Sequence, residues 1–173
     1  EATAKLSGYD DEIFKRTAKI VAMSAGTSYY ASIFGSLLFE KFVRIPSFVE
    51  FSSELRYKNP IVNKDDVYLA VSQSGETADT IYAMREIHEK GGKVFGICNV
   101  VSSTIARETD GGAFIHAGPE IAVASTKAFS NTIIIYYLLA LKFARQRGMS
   151  KEDGINFINQ IVQLPRLVKQ TIL

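Results

Sequence analysis

The sequence is poor in the residues that build disulfides and metal sites. It has one cysteine, two histidines and no tryptophan among its 173 residues. A single cysteine excludes an internal disulfide and every paired-cysteine metal motif, and no cluster of metal-ligand residues is visible. We therefore expect no metal and no cofactor. The scarcity of cysteine favours the reducing cytoplasm, and the apolar setting of Cys98 predicts a small core residue.

A charge excess of either sign is also missing. The chain has 20 basic and 18 acidic residues, a net charge of +2. This balance excludes binding to nucleic acid or to a membrane surface through bulk charge. The longest apolar run is TIIIYYLLAL, residues 132–141. That run is too short to span a bilayer, and residues 1–12 lack the apolar core of a signal peptide. We expect neither a nucleic-acid nor a membrane partner.

Short apolar runs alternate with longer amphipathic stretches along the whole chain. Apolar strands without polar alternation are typical of parallel sheets that are covered on both faces. The pattern predicts one α/β domain over residues 1–173. Strands are predicted at 18–24, 46–52, 66–72, 93–99 and 112–118, and helices at 28–43, 77–92, 102–110, 125–148 and 150–173.

Small and hydroxyl residues are concentrated where predicted strands give way to helices. They occupy residues 24–28 after the first strand, 72–77 after the third, and 120–127 before the long helix. Ligands of open α/β sheets bind beyond the carboxyl ends of the strands, and helix N-termini favour anions. Nucleotide-binding glycine motifs are absent. The pattern indicates a phosphate monoester on a small polar molecule, although each loop taken alone is also accounted for by helix capping.

Other polar residues near strand ends are open to more than one interpretation. Lys127 is either an anion partner or a solvated lysine. His116 follows the fifth strand on the ligand side, and a catalytic role for it is the less favoured interpretation. Glu54 and Arg56 either line the mouth of the site or pair with each other, and a structural or interface role is preferred. For Glu76, the plain expectation is a first-turn acid that stabilises the dipole of the following helix.

Several motifs, in order and at suitable intervals, resemble those of the sugar isomerase (SIS) domain family. Within it, the chain is most similar to the first SIS subdomain of glutamine–fructose-6-phosphate aminotransferases. The matching stretches are GTSYYA (26–31), SELRY (53–57), SQSGETADT (72–80), ICNV (97–100) and EIAVASTKAF (120–129). The resemblance implies a flavodoxin-like, three-layer α/β/α fold with a five-stranded parallel sheet.

The resemblance also implies a ligand, fructose 6-phosphate or glucosamine 6-phosphate. By the family pattern, the phosphate is held by Ser72, Gln73, Ser74 and Thr77. The sugar is lined by Thr27, Val123 and Ser125. These positions lie in the loops that the strand ends indicate independently.

The family's catalytic residues have no counterpart in this sequence. The nucleophilic cysteine of the glutaminase domain, and the glutamate, histidine and lysine of the isomerase reaction, are expected outside residues 1–173. The resemblance implies partners that supply them: a glutaminase domain and a second SIS subdomain, toward which helix 150–173 leads. It also implies a homodimer. Two alternatives stay open, a standalone aldose–ketose phosphate isomerase and a sugar-phosphate-sensing regulatory module.

Overall fold

A computed structural model describes residues 11–122 and 124–172. Its centre is a sheet of five parallel strands in the order β2-β1-β3-β4-β5. The strands are β1 (Lys19–Ser24), β2 (Ser47–Phe51), β3 (Asp66–Ser72), β4 (Lys93–Cys98) and β5 (Gly111–Phe114). This order is that of the flavodoxin-like doubly wound sheet, so the predicted fold class is confirmed.

Seven α-helices connect or flank the strands within the described residues. They are α1 (Asp11–Arg16), α2 (Gly26–Leu38), α3 (Ser52–Leu55), α4 (Ala78–Glu89), α5 (Thr104–Glu108), α6 (Lys127–Gln146) and α7 (Lys151–Ile172). A π-helical turn, Phe39–Val43, extends α2. Arg44 follows this turn in a left-handed conformation, with φ of 60°, and thereby ends the helix.

The middle strand, β3, is buried along its full length because both faces of the sheet are covered. On one face, α2 and α6 pack over a core that includes Leu69, Phe95 and Tyr136. On the other face, α4 and α5 cover Tyr68, Met84 and Ile105. The uninterrupted apolar sequence of β3 is therefore the direct consequence of its central position.

The structure differs from the predicted boundaries at several elements. The predicted strand 112–118 is observed as Gly111–Phe114, and His116 lies beyond it with φ of 53°. The predicted helix 28–43 is α2 plus the π-helical turn. Two short helices, α1 and α3, were not predicted, because four to six residues are too few to show a helical period. No helix of the described residues is long and apolar enough to cross a membrane.

Candidate functional site

The predicted polar loops meet at the carboxyl edge of the sheet. β1 and β3 are neighbours, and Ser24 pairs in register with Val71, so the segments that follow these strands lie side by side. Together with Ser125, which precedes α6, they form a pocket of about 170 Å³. The pocket is lined by Ala25, Thr27, Ser28, Val71, Ser72, Gln73, Ser74, Thr77 and Ser125.

Six of the seven predicted ligand-binding residues lie in this one pocket. Thr27 comes from the start of α2, and Ser125 precedes α6. The other four belong to the segment 72–77, which we call the β3–α4 loop. Val123, the seventh, lies outside the described residues. Two strands and one distant helix thus bring together residues that are up to 98 positions apart in sequence.

Hydroxyl groups within the β3–α4 loop converge on Ser72. The Oγ of Ser72 lies 2.8 Å from Thr77 Oγ1 and 3.4 Å from Ser74 Oγ, and it accepts a hydrogen bond from the Gly75 N–H at 3.1 Å. The Glu76 N–H in turn donates to Ser74 Oγ at 3.1 Å. Since each hydroxyl has one proton and two lone pairs, this cluster keeps hydrogen-bonding capacity for a ligand.

Helix capping does not account for these hydroxyls. The side chain of Thr77, at the N-cap of α4, makes no capping hydrogen bond, and Ala25, at the N-cap of α2, has no side-chain acceptor. By contrast, Ser103 does cap α5, because its Oγ accepts from the Ala106 N–H. The N-termini of α2 and α4 therefore face the pocket without a side-chain cap, which is the arrangement that suits an anion.

The N-terminus of α6 is arranged differently. The Glu120 carboxylate accepts from the Thr126 N–H at 2.9 Å and from Thr126 Oγ1 at 3.2 Å. The Thr126 backbone hydrogen bond is the largest of the contacts that lower the pKa of Glu120. Because a carboxylate already occupies this helix end, α6 is not an equivalent anion site. Sequence reasoning, which grouped all three loops, missed this distinction.

Glu76 stabilises a helix other than the expected one. Its carboxylate accepts from the Thr104 N–H at 2.7 Å and from Thr104 Oγ1 at 2.8 Å, at the start of α5. The Thr104 hydroxyl is the main cause of a lowered pKa for Glu76. The prediction that Glu76 acts on the dipole of the helix that follows it, α4, is therefore wrong. Its partner comes from another loop, which no local sequence pattern reveals.

The remaining candidates lie outside the pocket lining. Lys127 donates to the carbonyl of Pro119 and so ties down the loop before α6. The Arg56 guanidinium lies 4.2 Å from the centre of the Tyr82 ring, and within the described residues no ion pair joins it to Glu54. His116 is exposed, with its ring against Phe114.

Cys98 is buried, as expected of a core residue, and burial raises the pKa of its thiol. The described part of the chain has no group of three acidic, histidine or cysteine side chains placed to hold a metal ion.

The pocket can bind polar ligands but offers no acid–base group of its own. The described lining residues supply hydroxyls, one carboxamide and backbone N–H groups, and they include no carboxylate, imidazole or amine. Hydroxyl and N–H donors at a helix N-terminus suit phosphate oxygens, and further hydroxyls suit a polyol. The described lining therefore supplies hydrogen-bonding groups and no acid–base group.

Comparison with known families agrees with this geometry. The model of the SIS domain matches residues 12–142, which is most of the chain. The chain belongs to the SIS domain family. The β3–α4 loop and the pocket fall inside the matched residues.

Individual relatives of this SIS domain are aminotransferases. The isomerising glutamine–fructose-6-phosphate aminotransferase of Chlorobaculum tepidum is 46% identical over 167 residues, which are 95% of this chain and 27% of that protein. The enzyme of the same name from Clostridium tetani is 44% identical over 155 residues, 89% of this chain and 26% of that protein. The chain thus spans about a quarter of the length of these relatives.

A solved structure shows the same likeness in three dimensions. The C-terminal domain of glucosamine-fructose-6-phosphate aminotransferase from Francisella tularensis superimposes with a TM-score of 0.89 at 32% identity. The superposition covers 92% of this chain and 45% of that one. The SIS domain described here is therefore similar to about half of that solved domain.

Proposed function

We propose that this chain binds fructose 6-phosphate or glucosamine 6-phosphate as the first SIS subdomain of an isomerising glutamine–fructose-6-phosphate aminotransferase, a cytoplasmic enzyme of amino-sugar synthesis. One observation carries the proposal. Six residues expected to contact the sugar phosphate line a single pocket at the carboxyl ends of β1 and β3. The similarity to aminotransferases over nearly the whole chain supports the choice of ligand.

Within this proposal, the phosphate lies at the β3–α4 loop. Ser72, Ser74 and Thr77 donate hydroxyl protons to its oxygens, Gln73 contributes its carboxamide, and the uncapped N-terminus of α4 adds N–H groups and a partial positive charge. The sugar then extends toward Thr27 and Ser125, with Val123 as the third sugar contact. The pocket has a volume of about 170 Å³, and we propose that a partner domain completes the enclosure of the sugar.

The chemical steps are assigned to other parts of the enzyme. Proton transfer between C1 and C2 of the sugar needs a positioned acid or base, and the described lining has none. A second SIS subdomain following α7 supplies these groups, and a glutaminase domain supplies ammonia. Residues 1–173 alone are therefore expected to form no glucosamine 6-phosphate. Detectable product from the purified chain would contradict this assignment.

Exposed apolar surface supports a partner domain and a homodimer. α2 presents Tyr30 and Leu37 to solvent, and α7 presents Val162 and Ile172. A groove of about 910 Å³ runs between α2, α6 and α7. Leu37 lines this groove, and exposed apolar side chains beside a groove are typical of interfaces. Static light scattering at micromolar concentration is expected to show self-association of the isolated chain, and a strict monomer would count against it.

A ligand titration tests the binding proposal. Fructose 6-phosphate at a hundredfold excess over its dissociation constant should stabilise the chain by about 2.7 kcal/mol, and fructose without phosphate should not. Ser74→Ala should weaken binding by about tenfold, because one donor to the phosphate is lost. Ser36→Ala, near the far end of α2, is the matched control and should bind like the parent chain.

The outcomes separate the proposal from its alternatives. Equal binding by Ser74→Ala and the parent chain would place the phosphate elsewhere. Interconversion of an aldose and a ketose phosphate by residues 1–173 would favour a standalone isomerase. If no hexose phosphate bound to the chain, the proposed function would be wrong.

A further inference from the structure

The β3–α4 loop is held by contacts with α5 and with the segment between β4 and α5. We propose that Glu76 is the positioning residue of this attachment and that it acts on the phosphate through the backbone of Ser74 and Gly75. This inference rests on the proposed function, because it assigns a role at the same phosphate site. Glu76 itself is not among the residues that line the pocket.

Three contacts place Glu76 at the centre of the attachment. Its carboxylate accepts both donors of Thr104, at 2.7 and 2.8 Å. Its own N–H donates to Ser74 Oγ at 3.1 Å. One residue therefore connects the start of α5 with a hydroxyl that lines the pocket. A shift of the Glu76 backbone changes the position of its N–H relative to Ser74 Oγ.

Backbone contacts on either side make the attachment continuous. The Ile105 N–H donates to the Gly75 carbonyl at 3.1 Å, and the Asn99 N–H donates to the Gln73 carbonyl at 3.0 Å. Gly75 also has no room for a side chain, since a Cβ there would lie 2.1 Å from Ser103 Oγ. The loop is thus packed against α5 with little freedom, and the side chain of Glu76 is its only carboxylate.

The direction of the carboxylate matters for an anionic ligand. A carboxylate turned toward the pocket would repel phosphate, whereas the N-terminus of α5 stabilises it where it is. The two roles that Glu76 could have therefore predict opposite changes in phosphate affinity when its charge is removed. If its charge acted on the phosphate through space, neutralising Glu76 would tighten binding. If Glu76 positions the loop, neutralising it weakens binding.

The experiment compares Glu76→Gln, Glu76→Ala and Thr104→Val with the parent chain. Inorganic phosphate and fructose 6-phosphate are the probes, and dissociation constants are measured by calorimetry. Glutamine keeps one acceptor for the Thr104 N–H, and alanine keeps none. Thr104→Val removes the hydroxyl donor without changing the charge of the loop. Glu108→Gln is the matched control, because Glu108 is also hydrogen-bonded on α5 but pairs with Arg85.

The expected result is graded. Glu76→Gln and Thr104→Val should raise the dissociation constants of both probes by about twofold to thirtyfold. Glu76→Ala should raise them further. Amide chemical shifts of Ser74 and Gly75 should move in the same order in the absence of ligand, and Glu108→Gln should change neither readout. Partial rescue by glutamine separates positioning from a general loss of stability, which urea unfolding measures in parallel.

Three outcomes overturn the inference. Tighter binding by Glu76→Gln and Glu76→Ala would show that the charge of Glu76 acts on the phosphate through space. Unchanged dissociation constants in all three variants would show that the attachment does not govern the phosphate site. Failure of the parent chain to bind inorganic phosphate would contradict the site itself. If the parent binds inorganic phosphate with the expected gradation but not fructose 6-phosphate, only the proposed function fails.

Discussion

Tyr136 on α6 donates a hydrogen bond to Ser32 on α2, with 2.8 Å between the two oxygens. Ser32 Oγ also accepts from Ser24 at the end of β1 and donates to the carbonyl of Ser28, which lines the pocket. The hydroxyl side chains of Tyr136, Ser32 and Ser24 are buried. This network joins the two helices on one face of the sheet to the strand end that begins the site, so its integrity bears on the pocket as well as on the core.

Removing the hydroxyl of Tyr136 should therefore destabilise the fold. Tyr136→Phe loses one buried hydrogen bond while Ser32 keeps its other partners, so the free energy of unfolding should fall by about 1 kcal/mol. Urea denaturation measures this change. Tyr137→Phe is the control, because Tyr137 is only half-buried on the same helix. An equal loss in both variants would show that the network adds nothing specific.

The ring of Tyr136 leaves no room for a side chain at Gly35. A Cβ at Gly35 would lie 2.2 Å from Cδ1 of that ring. Alanine normally stabilises a helix interior by about 1 kcal/mol relative to glycine, but overpacking a core costs about 1–3 kcal/mol. We expect Gly35→Ala to be destabilising in urea denaturation. In a Tyr136→Ala background the same change should become neutral or stabilising, and a persistent loss there would locate the clash elsewhere.

The sequence predicted the fold well because the sheet is buried on both faces. The run DVYLAVS in β3 is apolar in all but its end residues, and between helical stretches such a run is typical of a central parallel strand. Boundaries were less accurate at β5, an edge strand of the sequence GGAF that is only half-buried. Its short length and two glycines leave no periodic signal, so its end could not be placed from sequence.

The site was predictable where it depends on strand ends and unpredictable where it depends on contacts between loops. Ser72 and Thr77 follow an apolar run directly, so their position at the sheet edge comes from local sequence. The capping of α5 by Glu76 and of α6 by Glu120 requires loops brought together by the tertiary fold. No periodicity or spacing encodes such pairs, and only the structure identifies which helix ends stay uncapped.

The buried tyrosines should make the protein sensitive to alkali. Burial raises the pKa of Tyr68 to about 12, and burial also raises the pKa of Tyr136. An unfolded tyrosine titrates near pH 10, so above pH 10 the folded chain holds more protons than the unfolded chain. The stability that these two tyrosines contribute is therefore fully present well below pH 10 and is lost as the pH rises from 10 toward 12.

The alkaline loss can be assigned to a residue by substitution. Each unit of pKa shift corresponds to about 1.4 kcal/mol, so Tyr68 alone contributes a loss of roughly 2 kcal/mol between pH 10 and 12. Tyr68→Phe should reduce the slope of unfolding free energy against pH in that window. Tyr57→Phe, at an exposed position, should leave it unchanged. Equal slopes in both variants would contradict the assignment.

The single cysteine should be unreactive in the folded chain. Cys98 is buried, its pKa is raised by burial, and Ser103 Oγ donates toward its sulfur at 3.6 Å. Because the thiolate is the nucleophile, modification by a disulfide reagent should be at least about a hundredfold slower than in urea. Absorbance of the released thiolate follows the reaction. A rapid phase in the native protein would mean that the segment between β4 and α5 opens readily.

Gly75 and Gly118 form a natural matched pair, because both have φ of +67° but differ in their surroundings. A Cβ at Gly118 would meet nothing within 4 Å, whereas one at Gly75 would lie 2.1 Å from Ser103 Oγ. Alanine in the left-handed region costs about 1–2 kcal/mol at either position. At Gly75 the clash adds about 1–3 kcal/mol, since either Ser103 or the β3–α4 loop must move.

Urea denaturation of Gly75→Ala and Gly118→Ala therefore isolates the packing of the β3–α4 loop from backbone strain. We expect Gly75→Ala to lose more stability, and calorimetry should show weaker binding of inorganic phosphate in that variant, because displacement of the loop moves Ser74. Gly118→Ala should keep the affinity of the parent chain. If both variants lost the same stability and bound phosphate equally, the close contact with Ser103 would not hold the loop in place.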